Sequence, residues 1–197
     1  MKLLFLSDIH GSLPAVEAVF AAAGATEPGT PGAPDMVVLL GDVMYHGPRN
    51  PLPAGYDPRA TASFLNRWKD RIVAVRGNCD AEVDQMLLEF PARADFSWLT
   101  LDGTRLFLTH GHLWGEASLP PLSPGDVFVY GHTHIPRAHP LGQGAVWNPG
   151  SCSLPKEGYE ASFGLYENGV FRVRTLEGRT ALEYPLAGTA RSDREAR

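Results

Sequence analysis

Three short apolar runs confine this chain to an architecture built on parallel strands. Each is halted by an Asp, a Gly-Asp or a Gly-Asn, and each is separated from the next by a segment of helical periodicity. Residues 2–7 stop at Asp8, residues 35–40 at Gly41-Asp42, and residues 71–76 at Gly77-Asn78. Runs that are apolar throughout, rather than alternating, mark strands buried on both faces, which need crossover helices to cover them. Residues 12–20 supply one, with Ser12 near the N-cap, Pro14 in the first turn and Gly24 as the stop. A loop at residues 26–34 and a proline-rich excursion at 48–58 precede a second helix, expected from about 59 to 69. The apolar spacing of residues 82–88 predicts a short amphipathic helix.

From Phe96 the rhythm changes to short strands. Residues 96–101 and 105–109 flank an Asp102-Gly103 turn, and further strands are expected at 126–130, 146–151, 162–166, 170–176 and 181–184, with a hairpin turn at Asn168-Gly169. From Gly188 charges alternate without apolar periodicity, so the sequence predicts one domain over residues 1–187 and a flexible tail at 188–197. A content of 44% hydrophobic residues is enough for a core, and the net charge of −5 gives no general attraction to nucleic acid or anionic lipid. No apolar stretch approaches the roughly 20 residues of a membrane span. The apolar opening at residues 1–6 is broken by Asp8 and His10 before a signal h-region forms. With only Cys79 and Cys152, a disulfide framework is not indicated, and a cytoplasmic location is expected.

Five separate strands each end in a residue able to ligate a metal: Asp8 with His10, Asp42, Asn78, His110, and His132 with His134. One strand-terminal Asp is commonly just a turn residue. Four of the seven histidines standing at strand ends beside three oxygen donors is a different matter. The carboxyl ends of neighbouring strands open onto a common crevice, so these donors can converge. Oxygen with imidazole suits Mn, Fe, Co, Ni or Zn. Seven ligands exceed the need of one ion with an open position and serve two ions if one carboxylate bridges. Such a pair can share a water, lower its pKa and present it in line to phosphorus.

The set Asp8-x-His10, Gly41-Asp42, Gly77-Asn78, Thr109-His110-Gly111-His112 and Gly131-His132-Thr133-His134 resembles, in order and spacing, the calcineurin-like metallophosphoesterase superfamily. Gly77-Asn78-Cys79-Asp80, His46-Gly47-Pro48-Arg49-Asn50, residues 82–88 and Asn148-Pro149-Gly150-Ser151 resemble its YfcE-type bacterial phosphodiesterase branch. The resemblance implies an α/β fold, a four-layer α/β/β/α sandwich with two mixed β-sheets. It implies one metal held by Asp8, His10 and His134 and another by Asn78, His110 and His132, with Asp42 bridging. Mn²⁺ is the favoured ion, with Ni²⁺, Fe²⁺, Zn²⁺, Co²⁺ or Mg²⁺ as alternatives. The implied activity is hydrolysis of small phosphodiesters, and dimers or tetramers are common in the branch.

Asp42, Asn78, His112 and Cys79 are the catalytic candidates. Cys79 departs from the wider superfamily, which places His after the Gly-Asn pair. A thiol donates hydrogen bonds weakly, so poor assistance to a basic leaving group is expected. His112 is a candidate proton donor or substrate contact. Arg49 and Arg76 are candidate phosphate contacts, because a guanidinium binds phosphate in a forked geometry. Asp80 is expected to orient a neighbour, His46 to be able to reach the cleft, His139 to be a surface residue and Asn148-Pro149-Gly150-Ser151 to form a rigid turn under the site. Phosphomonoester hydrolysis and a scaffold role, like that of the retromer subunit of similar fold, are the rival readings. The lack of a basic stripe disfavours long nucleic acid.

Overall fold

The strands β1 (Lys2–Leu6), β2 (Met36–Leu39) and β3 (Ile72–Ala74) pair in parallel, as their apolar runs require. The helices α1 (Leu13–Ala22) and α2 (Pro58–Asn66) provide the crossovers. Pro14 stands in the first turn of α1, and Asp57 caps α2 by accepting the Ala60 N–H. The computed structural model describes residues 1–25 and 27–186, so the expected tail at 188–197 lies outside the described residues.

The later strands are β4 (Phe96–Leu101), β5 (Thr104–Thr109), β6 (Val127–Val129), β7 (Arg137–Leu141), β8 (Gly144–Asn148), β9 (Ser162–Glu167), β10 (Val170–Thr175) and β11 (Thr180–Pro185). They complete two mixed sheets, ordered β11-β10-β9-β1-β2-β3 and β4-β5-β6-β8-β7. Leu3, Phe5, Val38 and Leu40 of the first sheet meet Leu106, Leu108, Val129 and Trp147 of the second in one core, where Trp147 stacks on Phe171 at 4.5 Å. The opposite face of the first sheet, with Leu4, Leu6, Val37 and Leu39, is covered by Val16, Val19, Phe20, Leu65 and Trp68 from the helical side. The α/β class and its two mixed sheets therefore stand as expected. The fourth layer differs. No helix follows Phe96 among the described residues, and the outer face of the second sheet, around Phe107, Phe128 and Val146, is covered by Trp114 and Leu122 from an irregular segment.

Three local expectations are corrected. Residues 82–88 form a 3-10 turn, Glu82–Met86, rather than an amphipathic helix, with Val83 and Met86 facing solvent. The segment is too short for a ladder of i→i−4 bonds, and side chains serve the backbone instead: Asp84 accepts the Ala81 N–H and Gln85 donates to the Leu88 carbonyl. Strand β7 was not foreseen because it contains Pro140. It lies at a sheet edge, where a proline removes no needed donor. Its His139 is half-buried and paired with Glu116 at 3.3 Å rather than free on the surface.

Candidate metal centre

Both sheets bring their strand ends to one rim. Asp8 and His10 follow β1, Asp42 follows β2 and Asn78 follows β3. His110 follows β5, and His132 and His134 follow β6. Five of the seven donors, Asp8, His10, Asp42, His132 and His134, have φ between 49° and 62°. The only other non-glycine residues at positive φ among those described are Asp102, Glu157 and Asn168. Left-handed backbone costs a side-chain-bearing residue on the order of 1 kcal/mol or more. Its concentration here shows that the surroundings hold these turns in place to aim their side chains inward.

The imidazoles are oriented from behind. His10 Nδ1 lies 2.7 Å from the Tyr45 carbonyl, His110 Nδ1 2.7 Å from the Leu40 carbonyl, and His134 Nδ1 2.5 Å from the Leu154 carbonyl. A carbonyl only accepts, so each Nδ1 carries the hydrogen and each Nε2 presents its lone pair to the centre. His10 Nε2 and His134 Nε2 stand 3.4 Å apart, and His132 Nδ1 is 3.2 Å from His110 Nε2. The facing Nε2 lone pairs of His10 and His134 repel unless a cation lies between them. The oxygen donors are placed to match. Asp8 Oδ1 is buried with no hydrogen-bond partner, 3.2 Å from His134 Nε2 and 3.9 Å from His10 Nε2. Asp42 Oδ2 lies between the two histidine groups, 3.8 Å from His10 Nε2 and 3.5 Å from His110 Nε2. Asn78 Oδ1 is 3.1 Å from His110 Nε2. Asp8 with His10 and His134, and Asp8 with Asp42 and His110, have ligand atoms close enough to share an ion. An orphaned carboxylate oxygen and converging lone pairs fit divalent metal.

The electrostatics agree. Burial opposes charge on Asp42, yet His110 and the Cys79 N–H hold its carboxyl well below the usual range. Burial likewise works against a charged His110, but Asp42 and Asp8 raise its pKa to about 9, so its Nε2 lone pair takes up a cation at neutral pH, a proton where no metal ion is bound. Burial lowers the pKa of His10, and burial with the neighbouring His110 lowers that of His132.

Asp80 ties the turns after β2 and β3 together, accepting the N–H groups of Asp42, Val43 and Gly77, each at 2.8 Å. This is the orienting role the sequence suggested. Burial, aided by Asp42, pushes its carboxyl up to about 6. From below, Ser151 and Ser153 donate to the Asp8 carbonyl at 2.8 and 3.0 Å, and Asn148 donates to the Gly131 carbonyl. The Asn148-Pro149-Gly150-Ser151 turn thus braces the centre.

A cleft of about 790 Å³ opens over it, lined by Asp42, Asn78, Cys79, His132 and His134 and also by Tyr45, Arg49, Asn50 and Lys156. The Cys79 thiol faces this space and is pushed up to about 12 by burial and by Asp42, so it is protonated at neutral pH. Arg49 lines the cleft. Arg76 does not: its guanidinium holds Asp95 at 2.5 Å. His46 is not among the cleft residues either and packs edge-on to Tyr45 and Tyr56. His112 stands beside the centre, its ring 5.4 Å from that of His110 and its Nδ1 buried without a partner. Burial and the adjacent His110 lower its pKa. Lys156 and Tyr45 were missed. A lysine after the bracing turn was the available signal for the first, and none marked the second. A smaller cleft of about 280 Å³ around Leu119, Leu122 and Phe128 lacks any cluster of donors.

Residues 1–168 match the family model described as the calcineurin-like phosphoesterase superfamily domain. The chain is 51% identical over 185 residues to Phosphodiesterase YfcE of Escherichia coli K12, covering 92% of this chain and 96% of the relative. A solved structure of YfcE from E. coli superposes with a TM-score of 0.87 at 49% identity, covering 94% of this chain and all of the other. More distant structures share the fold. An archaeal phosphodiesterase matches with a TM-score of 0.58 at 22% identity over 94% of this chain and 100% of that one. Vps29 of Entamoeba histolytica, complexed with zinc, matches with 0.55 at 20% over 94% and 99%. The resemblance carried by the strand-end motifs is therefore borne out, and the chain belongs to the calcineurin-like phosphoesterase superfamily.

Proposed function

We propose that this chain is a metal-dependent phosphodiesterase that hydrolyses small or activated phosphodiesters. In this reading Asp8, His10 and His134 hold one divalent ion, Asn78, His110 and His132 hold a second, and Asp42 bridges them. The observation that carries it is the pair of His10 and His134 lone pairs turned on one another beside an orphaned Asp8 oxygen. The 51% identity to a protein named a phosphodiesterase supports the reaction class. Two divalent ions supply an activated water at neutral pH and neutralise charge on the phosphoryl oxygens. The chain's own part is to hold the donors rigidly and to place the substrate. Arg49 meets the substrate at the cleft mouth, while Arg76, engaged with Asp95, braces the loop before β4. His112, held toward its neutral form by burial and His110, offers the substrate a hydrogen-bond contact beside the centre. Manganese is the ion we assign, in a cytoplasmic protein that associates as a dimer or tetramer. No helix of the described residues is long and apolar enough to cross a membrane.

The test compares bis-p-nitrophenyl phosphate with p-nitrophenyl phosphate, using chelated protein refilled with Mn²⁺, Ni²⁺, Mg²⁺ or Zn²⁺. Chelation is expected to abolish hydrolysis, Mn²⁺ to restore it, and the diester to be the better substrate. Monoester preference would overturn the diesterase assignment, and hydrolysis that survives chelation would overturn the metal.

Cys79 carries a second expectation. A thiol gives the departing oxygen little help, so Cys79→His should raise rates on diesters with basic alkoxide leaving groups by about tenfold or more relative to aryl diesters. Unchanged relative rates across a leaving-group series would remove Cys79 from the reaction.

A further inference from the structure

We propose that Arg49 and Lys156 form a second anion subsite at the mouth of the cleft, selecting phosphodiesters that carry a further phosphate on one arm. The inference deepens the phosphodiesterase reading and rests on it. Among the described residues, Arg49, Arg59 and Lys156 are the cationic side chains with neither an ion pair nor a hydrogen bond. Carboxylates hold Arg67, Lys69, Arg76, Arg93, Arg105, Arg172 and Arg179, and carbonyls hold Lys2, Arg71, Arg137 and Arg174. In a chain with a formal charge of −5, unpaired cations are the exception, and two of these three line the same cleft.

They reach it from opposite sides. Lys156 follows Leu154, whose carbonyl orients His134, and so enters from the Asp8, His10 and His134 side. Arg49 sits in a turn closed by the Asn50 side chain donating to the His46 carbonyl at 2.9 Å. That turn packs on Cys79 through Gly47, where an added Cβ would lie 3.0 Å from the sulfur, so Arg49 enters from the Asp42 and Asn78 side. Both side chains belong to exposed residues, whereas Asp8, His10, Asp42, His110 and His134 are buried. The donors form the floor and the cations the rim.

A cleft of about 790 Å³ holds a whole small ligand rather than one phosphate group. With the scissile phosphate on the floor, an ester arm must extend to the rim, where it meets one forked guanidinium and one ammonium. That pair matches a phosphate monoester, which offers three oxygens and close to two negative charges at neutral pH.

The experiment uses Mn²⁺-loaded protein and two substrates that differ in one group: the p-nitrophenyl ester of thymidine 5′-phosphate, with and without a 3′-phosphate. The phosphorylated substrate is expected to have a kcat/KM about tenfold higher, a preference that falls as salt screens the rim. Lys156→Ala and Arg49→Ala are each expected to reduce that ratio severalfold, and the double variant to bring it to about one. Calorimetry supplies an independent reading: thymidine 3′,5′-bisphosphate should bind about tenfold more tightly than thymidine 5′-phosphate to the wild type and with equal affinity to the double variant. Equal affinities in the wild type, or a preference that persists in the double variant, would overturn the subsite. Failure of the wild type to cleave bis-p-nitrophenyl phosphate would instead strike the diesterase reading, and the calorimetry would still decide the subsite.

Discussion

Asp42→Asn is expected to lower hydrolysis of bis-p-nitrophenyl phosphate by Mn²⁺-loaded protein about a thousandfold while leaving the fold in place. Asp42 stands between the two histidine groups, with Oδ2 facing His10 and His110 and Oδ1 accepting the Cys79 N–H at 2.8 Å. An amide oxygen can still accept that N–H, so the turn keeps its hydrogen bond and only the charge is lost. Asp42→Ala removes both. It leaves the Cys79 N–H without its acceptor, which costs about 1–3 kcal/mol of stability in addition to activity. Deleting one group aimed at transition-state charge typically costs 10²- to 10³-fold, and a carboxylate shared by two ions belongs at the upper end. Metal analysis of Asp42→Asn should show loss of at least one ion per chain. Full activity in Asp42→Asn, measured beside mock-purified protein to exclude a contaminant, would show that this carboxylate does not bridge.

Gly77→Ala is the second large effect, and it acts on folding and activity together. A Cβ at Gly77 would overlap the Asp42 amide nitrogen and carboxylate. The amide is backbone, fixed by Asp80, and cannot yield as a flexible side-chain end could. Overpacking of this kind costs about 1–3 kcal/mol and sometimes more. Because the displaced group is the proposed bridge, activity should fall by at least about tenfold. Urea unfolding measures the first and diester hydrolysis the second. Gly115→Ala is the matched control: its added Cβ meets nothing within 4 Å and its φ is not positive, so a change within about 0.5 kcal/mol is expected. If Gly77→Ala proved as benign as Gly115→Ala, the close approach of the β2 and β3 ends would carry no functional weight.

The parallel strands were legible because their apolar runs have no polar face, and the hairpins at Asp102-Gly103 and Asn168-Gly169 because both residues of each turn take positive φ, which those residue types tolerate. The proposed ligands were legible because the ends of strands are where side chains from distant parts of a chain meet. Strand β7 was hidden by Pro140, and the turn at Glu82–Met86 was misread because exposed apolar residues imitated a helical face. Arg49 and Arg76 look alike in sequence. Asp95, nineteen residues beyond Arg76, separates them only once the chain is folded.

The order of amino acids by itself determined the type of most of the elements, β7 and the turn at Glu82–Met86 excepted, and the chemical nature of the donors, since both follow from local periodicity and from the side chains present. Only the tertiary structure decided how those donors point. Backbone carbonyls of Leu40, Tyr45 and Leu154 select the imidazole nitrogen that faces inward, and contacts across two sheets hold five donor residues at positive φ. Every residue carries a carbonyl, so no residue type announces this duty. The strain is borne by packing between segments more than a hundred residues apart, as in the 2.9 Å bond from the His132 N–H to Asp8.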